Sequence, residues 1–238
     1  HYSMSEANIS TSQPKRPEPI YSLYVLKCLM AFLVVTCHTP FYVSGGYLSP
    51  LARGAVSAFF LISGYFLYAP SPKTSYNRAI KSLKNTGKIF LVVSLFYWAW
   101  LLPNHGNLIN SWQTFFDWIL VGGAFSIHLW YLAAMIQALL VMALILRFGR
   151  SWMFWCLLPL FVFGLLGGLY GFLLTDAKTE YVYNVYTSIC YGLPCMAGGY
   201  LIGKYEVKLM HVRWLYALLA GIVLVFVERA LLEGAGYT

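Results

Sequence analysis

Lys27 and His38 lie in one apolar run, Tyr21–His38, with ten residues between them. An α-helix turns by about 100° per residue, so eleven steps return His38 almost to the face of Lys27, about 16 Å further along. Ala31 and Val34, at the same helical phase, leave the stripe between them narrow. One fixed cation and one titratable base therefore share a face of a helix otherwise apolar enough to cross a membrane. Ionisable groups at membrane depth are costly and usually face a cavity or a partner, so the pair marks a candidate functional site. A histidine can take up a proton as a general base or carry a group transiently as a nucleophile. The ordinary alternatives are a lysine snorkelling to the interface and a histidine closing a helix ahead of Thr39-Pro40.

The elements that must position this pair follow from composition. Of the 238 residues, 60% are hydrophobic and 10% charged, with a mean hydropathy of +0.66. A soluble domain carries roughly 25% charged residues. Apolar runs suited to bilayer helices recur at Tyr21–His38, Ala55–Ala69, Lys88–Pro103, His128–Leu146, Trp152–Thr175, Val182–Gly203 and Trp214–Leu232. The expected fold is all-α: a polytopic transmembrane helix bundle of about seven spans.

The net charge of +8 reflects where the basic residues fall. Lys15 and Arg16 precede the first span; Lys73, Arg78, Lys81, Lys84 and Lys88 follow the second; Arg147 and Arg150 follow the fourth; Lys204, Lys208 and Arg213 follow the sixth. The alternate connections hold only Arg53 and Lys178, and they hold the acidic Asp117, Asp176 and Glu180. This alternation puts the N-terminus and the basic connections in the cytoplasm and His38 near the outer end of its helix. Nucleic acid is not needed to explain the charge. Residues 1–20, polar and carrying three prolines, read as a disordered cytoplasmic leader. Arg78, Lys81 and Lys84 recur every three residues, which predicts a short amphipathic helix on the inner surface. Trp112, Phe115, Phe116 and Trp118 suit the interfacial belt. The five cysteines form no CxxC pair, and no metal site is expected. A Walker loop, GxGxxG and HExxH are all missing from the sequence.

Four local patterns together resemble the membrane-bound acyltransferase-3 family, the integral-membrane O-acyltransferases. They are Lys27…His38; FFLISGY, Phe59 to Tyr65; Arg78-Ala-Ile-Lys81; and HLWYL, His128 to Leu132. A weaker fifth is YGLPCMAGGYLIG, Tyr191 to Gly203. Lysine stands at 27 and 81 where the family favours arginine, Tyr24 stands where many members carry an acid, and the spans are fewer than usual. The resemblance thus implies that residues 21–238 form an acyltransferase-like transmembrane domain, C-terminally incomplete relative to the family.

The resemblance implies transfer of an acyl group, most often acetyl, from cytosolic acyl-CoA to a hydroxyl of an extracytoplasmic glycan or similar envelope acceptor. The setting would be a bacterial-type inner membrane, whose lipid is a partner of the whole bundle. On this reading His38 is the catalytic base or acyl carrier. Lys27, Arg78, Lys81 and Lys84 are candidates to hold the polyanionic donor. Ser63, Trp130 or Lys27 could stabilise the thioester oxygen as it gains charge, and the residues themselves do not choose among them. His128 and Glu228 are candidates for the acceptor side. The competing reading is a non-catalytic transport or recognition module of a larger protein. The internal repeat typical of many transporters is not visible.

Overall fold

The computed structural model describes residues 21–38, 49–105, 109–122, 129–167, 190–209 and 214–234. The leader, the loop holding Gly45-Gly46, His128, the segment around Asp176 to Glu180 and most of the Val182–Gly203 run before Cys190 lie outside the described residues.

Every regular element among the described residues is helical. They are α1 (Tyr21–His38), α2 (Ser49–Leu67), α3 (Pro72–His105), α4 (Trp112–Phe116), α5 (Trp130–Phe148), α6 (Met153–Leu157), α7 (Pro159–Gly167), α8 (Leu193–Leu209) and α9 (Trp214–Gly234). Among the described residues two stretches, Pro72–Pro103 and Trp130–Phe148, are long and apolar enough to cross a membrane. Tyr21–Val34, Gly54–Leu67 and Met153–Gly164 are apolar but shorter.

Three boundaries differ from the sequence expectation. The basic segment 73–88 and the apolar segment 88–103 form one 34-residue helix, α3. Pro72 suits the first helical turn, and the next proline is Pro103, so nothing in between breaks the hydrogen-bond ladder. At 1.5 Å per residue α3 is about 51 Å long, against a hydrocarbon core of about 30 Å. Its basic turns therefore continue the axis of the apolar part instead of turning away from it. The Trp152–Thr175 run is broken at Leu158, because Pro159 can begin a helix but cannot donate to the preceding turn. Finally, α4 passes directly into a π-helical turn, Asp117–Val121, which Gly122 closes at φ 76°. Its N–H reaches the Asp117 and Trp118 carbonyls at 2.8 and 3.0 Å.

The packing centres on α2. Contacts between α2 and α8 advance together along both chains, from Ser57 with Tyr191 to Tyr65 with Glu206, so the two helices run parallel. They approach closely at two glycines. A Cβ on Gly64 would overlap the Met196 carbonyl, and one on Gly199 would overlap the Leu61 carbonyl. Small residues at such crossings let two backbones meet where no side chain fits. Phe60, Leu67, Leu139, Met142, Phe154 and Met196 fill the core shared by α2, α5, α6 and α8. A second cluster joins α3 to α5 through Phe90, Leu129 and Ala133, with Trp118 stacked on Phe90 at 5.8 Å and donating to the buried Ser94 at 2.9 Å.

The remaining contacts fix helix directions. Lys27, early in α1, meets Phe66, late in α2. Arg147, ending α5, donates to the Tyr76 hydroxyl at the start of α3 at 3.2 Å. Trp155 of α6 packs on Tyr205, and Phe161 of α7 packs on Tyr191. Each pair is antiparallel. One end of the bundle therefore collects the start of α1, the end of α2, the start of α3, the end of α5, the start of α6 and the end of α8. Lys27, Lys73, Arg78, Lys81, Lys84, Arg147, Lys204 and Lys208 all belong to it. His38 closes α1 at the other end. Large apolar side chains on the outer faces of α3 and α9, among them Leu91, Val92, Trp100, Leu215, Leu224 and Leu231, remain exposed.

Candidate functional site

The end of α2 gathers the cations. Four backbone carbonyls at a helix C-terminus lack intrahelical partners and carry the negative end of the dipole. Arg78 meets that need: its Nη1 lies 3.4 Å from the Phe66 carbonyl oxygen and also donates to the Tyr68 carbonyl. The turn between α2 and α3 that carries Arg78 to this point is pinned by Ser75, a fully buried serine. Its Oγ accepts from the Ala69 N–H at 2.9 Å and donates to the Ala69 carbonyl at 3.2 Å.

Lys27 reaches the same place from α1. Its Nζ stands 4.8 Å from the centroid of the Phe66 ring, a cation–π contact. Tyr24 and Tyr65 pack on that ring as well, at 6.3 and 5.7 Å. One residue of α2 thus receives Lys27 on its ring and Arg78 on its carbonyl. Lys81 and Lys84 continue along α3 at i+3 and i+6 from Arg78, both exposed. Tyr65, the last residue of FFLISGY, donates to Glu206 Oε1 of α8 at 3.0 Å.

The motif segments converge. Phe59 and Phe60 pack on Tyr131 of HLWYL with ring centroids 6.0 and 5.2 Å away. Ser63, half-buried, follows one turn along α2, and Trp130, also half-buried, opens α5 beside Tyr131 with its ring 6.4 Å from that ring. The YGLPCMAGGYLIG segment lies against FFLISGY through the two glycine crossings. Nearer the end opposite the cations, the Ser57 hydroxyl is hydrogen-bonded to that of Tyr191.

The sequence-derived residues sort as follows. Lys27, Arg78, Lys81 and Lys84 come to one end, and Arg78 has a second, structural task on the carbonyls of α2. His38 is the last residue of α1, and its side chain lies outside the described residues, as does all of His128. Glu228 sits half-buried on α9, a helix that touches α2. Sequence reasoning missed Tyr65, Glu206, Ser57 and Tyr191 as polar partners. The one available signal was Glu206, an acid inside an otherwise basic helix end, Lys204 to Lys208.

A family model described as an acyltransferase domain matches residues 20–234. No curated protein and no solved structure matches the chain at a significant level. Because that match covers nearly all of a helical chain whose motif segments meet around α2, the chain belongs to the acyltransferase-3 family and is an acyltransferase.

Proposed function

We propose that this acyltransferase takes an acyl group, acetyl in the first instance, from cytosolic acyl-CoA and delivers it to a hydroxyl of an extracytoplasmic glycan or similar envelope acceptor. The proposed setting is an inner membrane crossed about seven times, with α6 and α7 sharing one pass and the N-terminus in the cytoplasm. The observation that carries this reading is the meeting of Lys27 and Arg78 at Phe66, at the basic end of the bundle. A nucleoside phosphate donor needs clustered cations on one side of the membrane, and a thioester arm needs a polar route from there toward the base. Lys27 stands on the helix that ends in His38, and the two share a face.

The proposed reaction balances without a metal. His38 accepts the proton of the acceptor hydroxyl as its oxygen bonds to the thioester carbonyl carbon. The carbon–sulfur bond then breaks, and the leaving thiolate takes up the proton that His38 held. Ser63, Trp130 and Lys27 remain the candidates to stabilise the carbonyl oxygen, and His128 and Glu228 the candidates for the acceptor side.

The test is binding of labelled acetyl-CoA to purified protein in detergent, wild type beside Lys81→Glu/Lys84→Glu and His38→Ala. The expected result is saturable binding to wild type and to His38→Ala, loss in the double variant, and no acyl transfer by His38→Ala. Turnover in His38→Ala, or undiminished binding in the double variant, overturns the corresponding assignment.

A further inference from the structure

Away from the α2 hub, α6 and α8 form a groove of about 600 Å³ lined by Trp155, Leu158, Gly198, Leu201, Tyr205 and Lys208. We propose that it seats one acyl chain of an anionic phospholipid, with the lipid phosphate held by Lys208 and Lys204.

Three features carry the assignment. The first is wall chemistry. Apart from Lys208 and the hydroxyl of Tyr205, the side chains named are apolar or aromatic, and Gly198 leaves depth where a larger residue would stand. A Cβ there would meet only Leu61 and Leu158 side-chain atoms, at 3.5 and 3.6 Å. A free phosphate has no use for such walls, whereas a hydrocarbon chain does. The second is the position of the charge. Lys208 lies at the end of the groove where α8 finishes, among the other basic residues, and it is exposed. Its Nζ and that of Lys204 lie 5.8 and 5.5 Å from the centroid of the Tyr205 ring, which is itself part of the wall. Two cations flanking one aromatic at the mouth of an apolar slot complement an anionic headgroup above an acyl chain. The third is a departure from regular helix. Tyr205 has φ −107° and ψ 16°, so α8 kinks at the residue that both lysines flank. Trp155, half exposed across the groove with its ring 5.9 Å from that of Tyr205, is the residue type favoured at headgroup depth.

The inference rests on the membrane reading above but not on the donor or the acceptor, so it can fail while acyl transfer stands. The test is native mass spectrometry of the full chain released from nanodiscs of equal parts phosphatidylglycerol and phosphatidylcholine. Wild type is expected to retain phosphatidylglycerol, with retention falling about tenfold in Lys204→Gln/Lys208→Gln and in Ile202→Trp, which fills the groove from its edge. Lys88→Gln, an exposed position on α3 outside the donor-side cations, serves as the control and keeps the wild-type adduct. Labelled acetyl-CoA binding, measured on the same samples, is expected to be unchanged in all variants, which also shows that they are folded. Equal retention of both lipids, retention unaffected by the lysine pair, or displacement of the adduct by inorganic phosphate alone overturns the proposal. Loss of acetyl-CoA binding in Ile202→Trp with lipid retained would also overturn it, by giving the groove to the donor.

Discussion

Phe66 receives one cation on its ring and another on its carbonyl, and the two contacts have different consequences. Arg78 satisfies orphan carbonyls, so Arg78→Ala should destabilise the fold by about 1 kcal/mol, the value of an exposed charge-assisted cap. Thermal unfolding in detergent checks this, and Arg78→Lys should recover part of the loss. Lys27 satisfies no backbone group in the contacts described. Lys27→Met keeps the length of the side chain and its packing on Phe66 while removing the charge. It should therefore leave thermal stability near wild type and weaken acetyl-CoA binding about tenfold, the loss of one charge-assisted contact. A Lys27→Met protein that melts early and binds donor normally would make Lys27 a structural residue and Arg78 its donor-side counterpart. At this scale the sequence showed the cations and their spacing but not the carbonyls that Arg78 serves. Those carbonyls exist as acceptors only because α2 stops at Leu67 and Ser75 folds α3 back beneath it.

The elements differ in how much of their glycine content they need. Gly64 and Gly199 sit where α2 and α8 have backbone against backbone, and an added methyl at either has no space. Gly64→Ala should cost about 1–3 kcal/mol, because the helices must separate or bend to admit it. Gly54, in α2, and Gly87, in α3, have nothing within 4 Å of an added Cβ. Alanine at either should be neutral or stabilise by up to about 1 kcal/mol through helix propensity and a less flexible unfolded chain. Melting temperatures of the three variants, measured side by side, test the crossing without reference to activity. If Gly64→Ala melted with Gly54→Ala, the close approach of α2 and α8 would be wrong. Apolar run length made α1, α5 and α9 legible to within two residues, whereas α2 begins six residues before the run that signalled it. It did not make α3 legible, where a polar-to-apolar change at Lys88 looked like a boundary although the backbone ladder has no reason to stop there. Nor did it expose the break at Pro159, which hydropathy averages over. The parallel pairing of α2 with α8 brings Tyr65 to Glu206 across 141 residues of sequence, and no local pattern encodes it.

At the scale of the molecule, the helix directions and the charge alternation come from independent sources and give one division. Helix contacts put the start of α3 and the end of α8 at the same end as Lys27. Counting basic residues in the connections assigns those same segments to one side of a membrane. If that side is cytoplasmic, the region of α4 and its π-turn, with the exposed Trp112 and Phe116, belongs to the outer interface. A cysteine-scanning experiment on intact cells tests this, with the exposed Cys28 and Cys156 first replaced by serine to remove background. Lys84→Cys should react with a membrane-impermeant maleimide only after permeabilisation, and Asn110→Cys should react without it; both positions are exposed. The opposite pattern would invert the bundle and put the clustered cations on the side where no cytosolic acyl-CoA is found. Labelling of both positions in intact cells would contradict a membrane between the two ends, and with it the transfer of an acyl group from one side to the other. The proposed chemistry depends on this division more than on any single side chain. A donor held at Lys27 and a base at His38 face different compartments only if the helix between them crosses the bilayer.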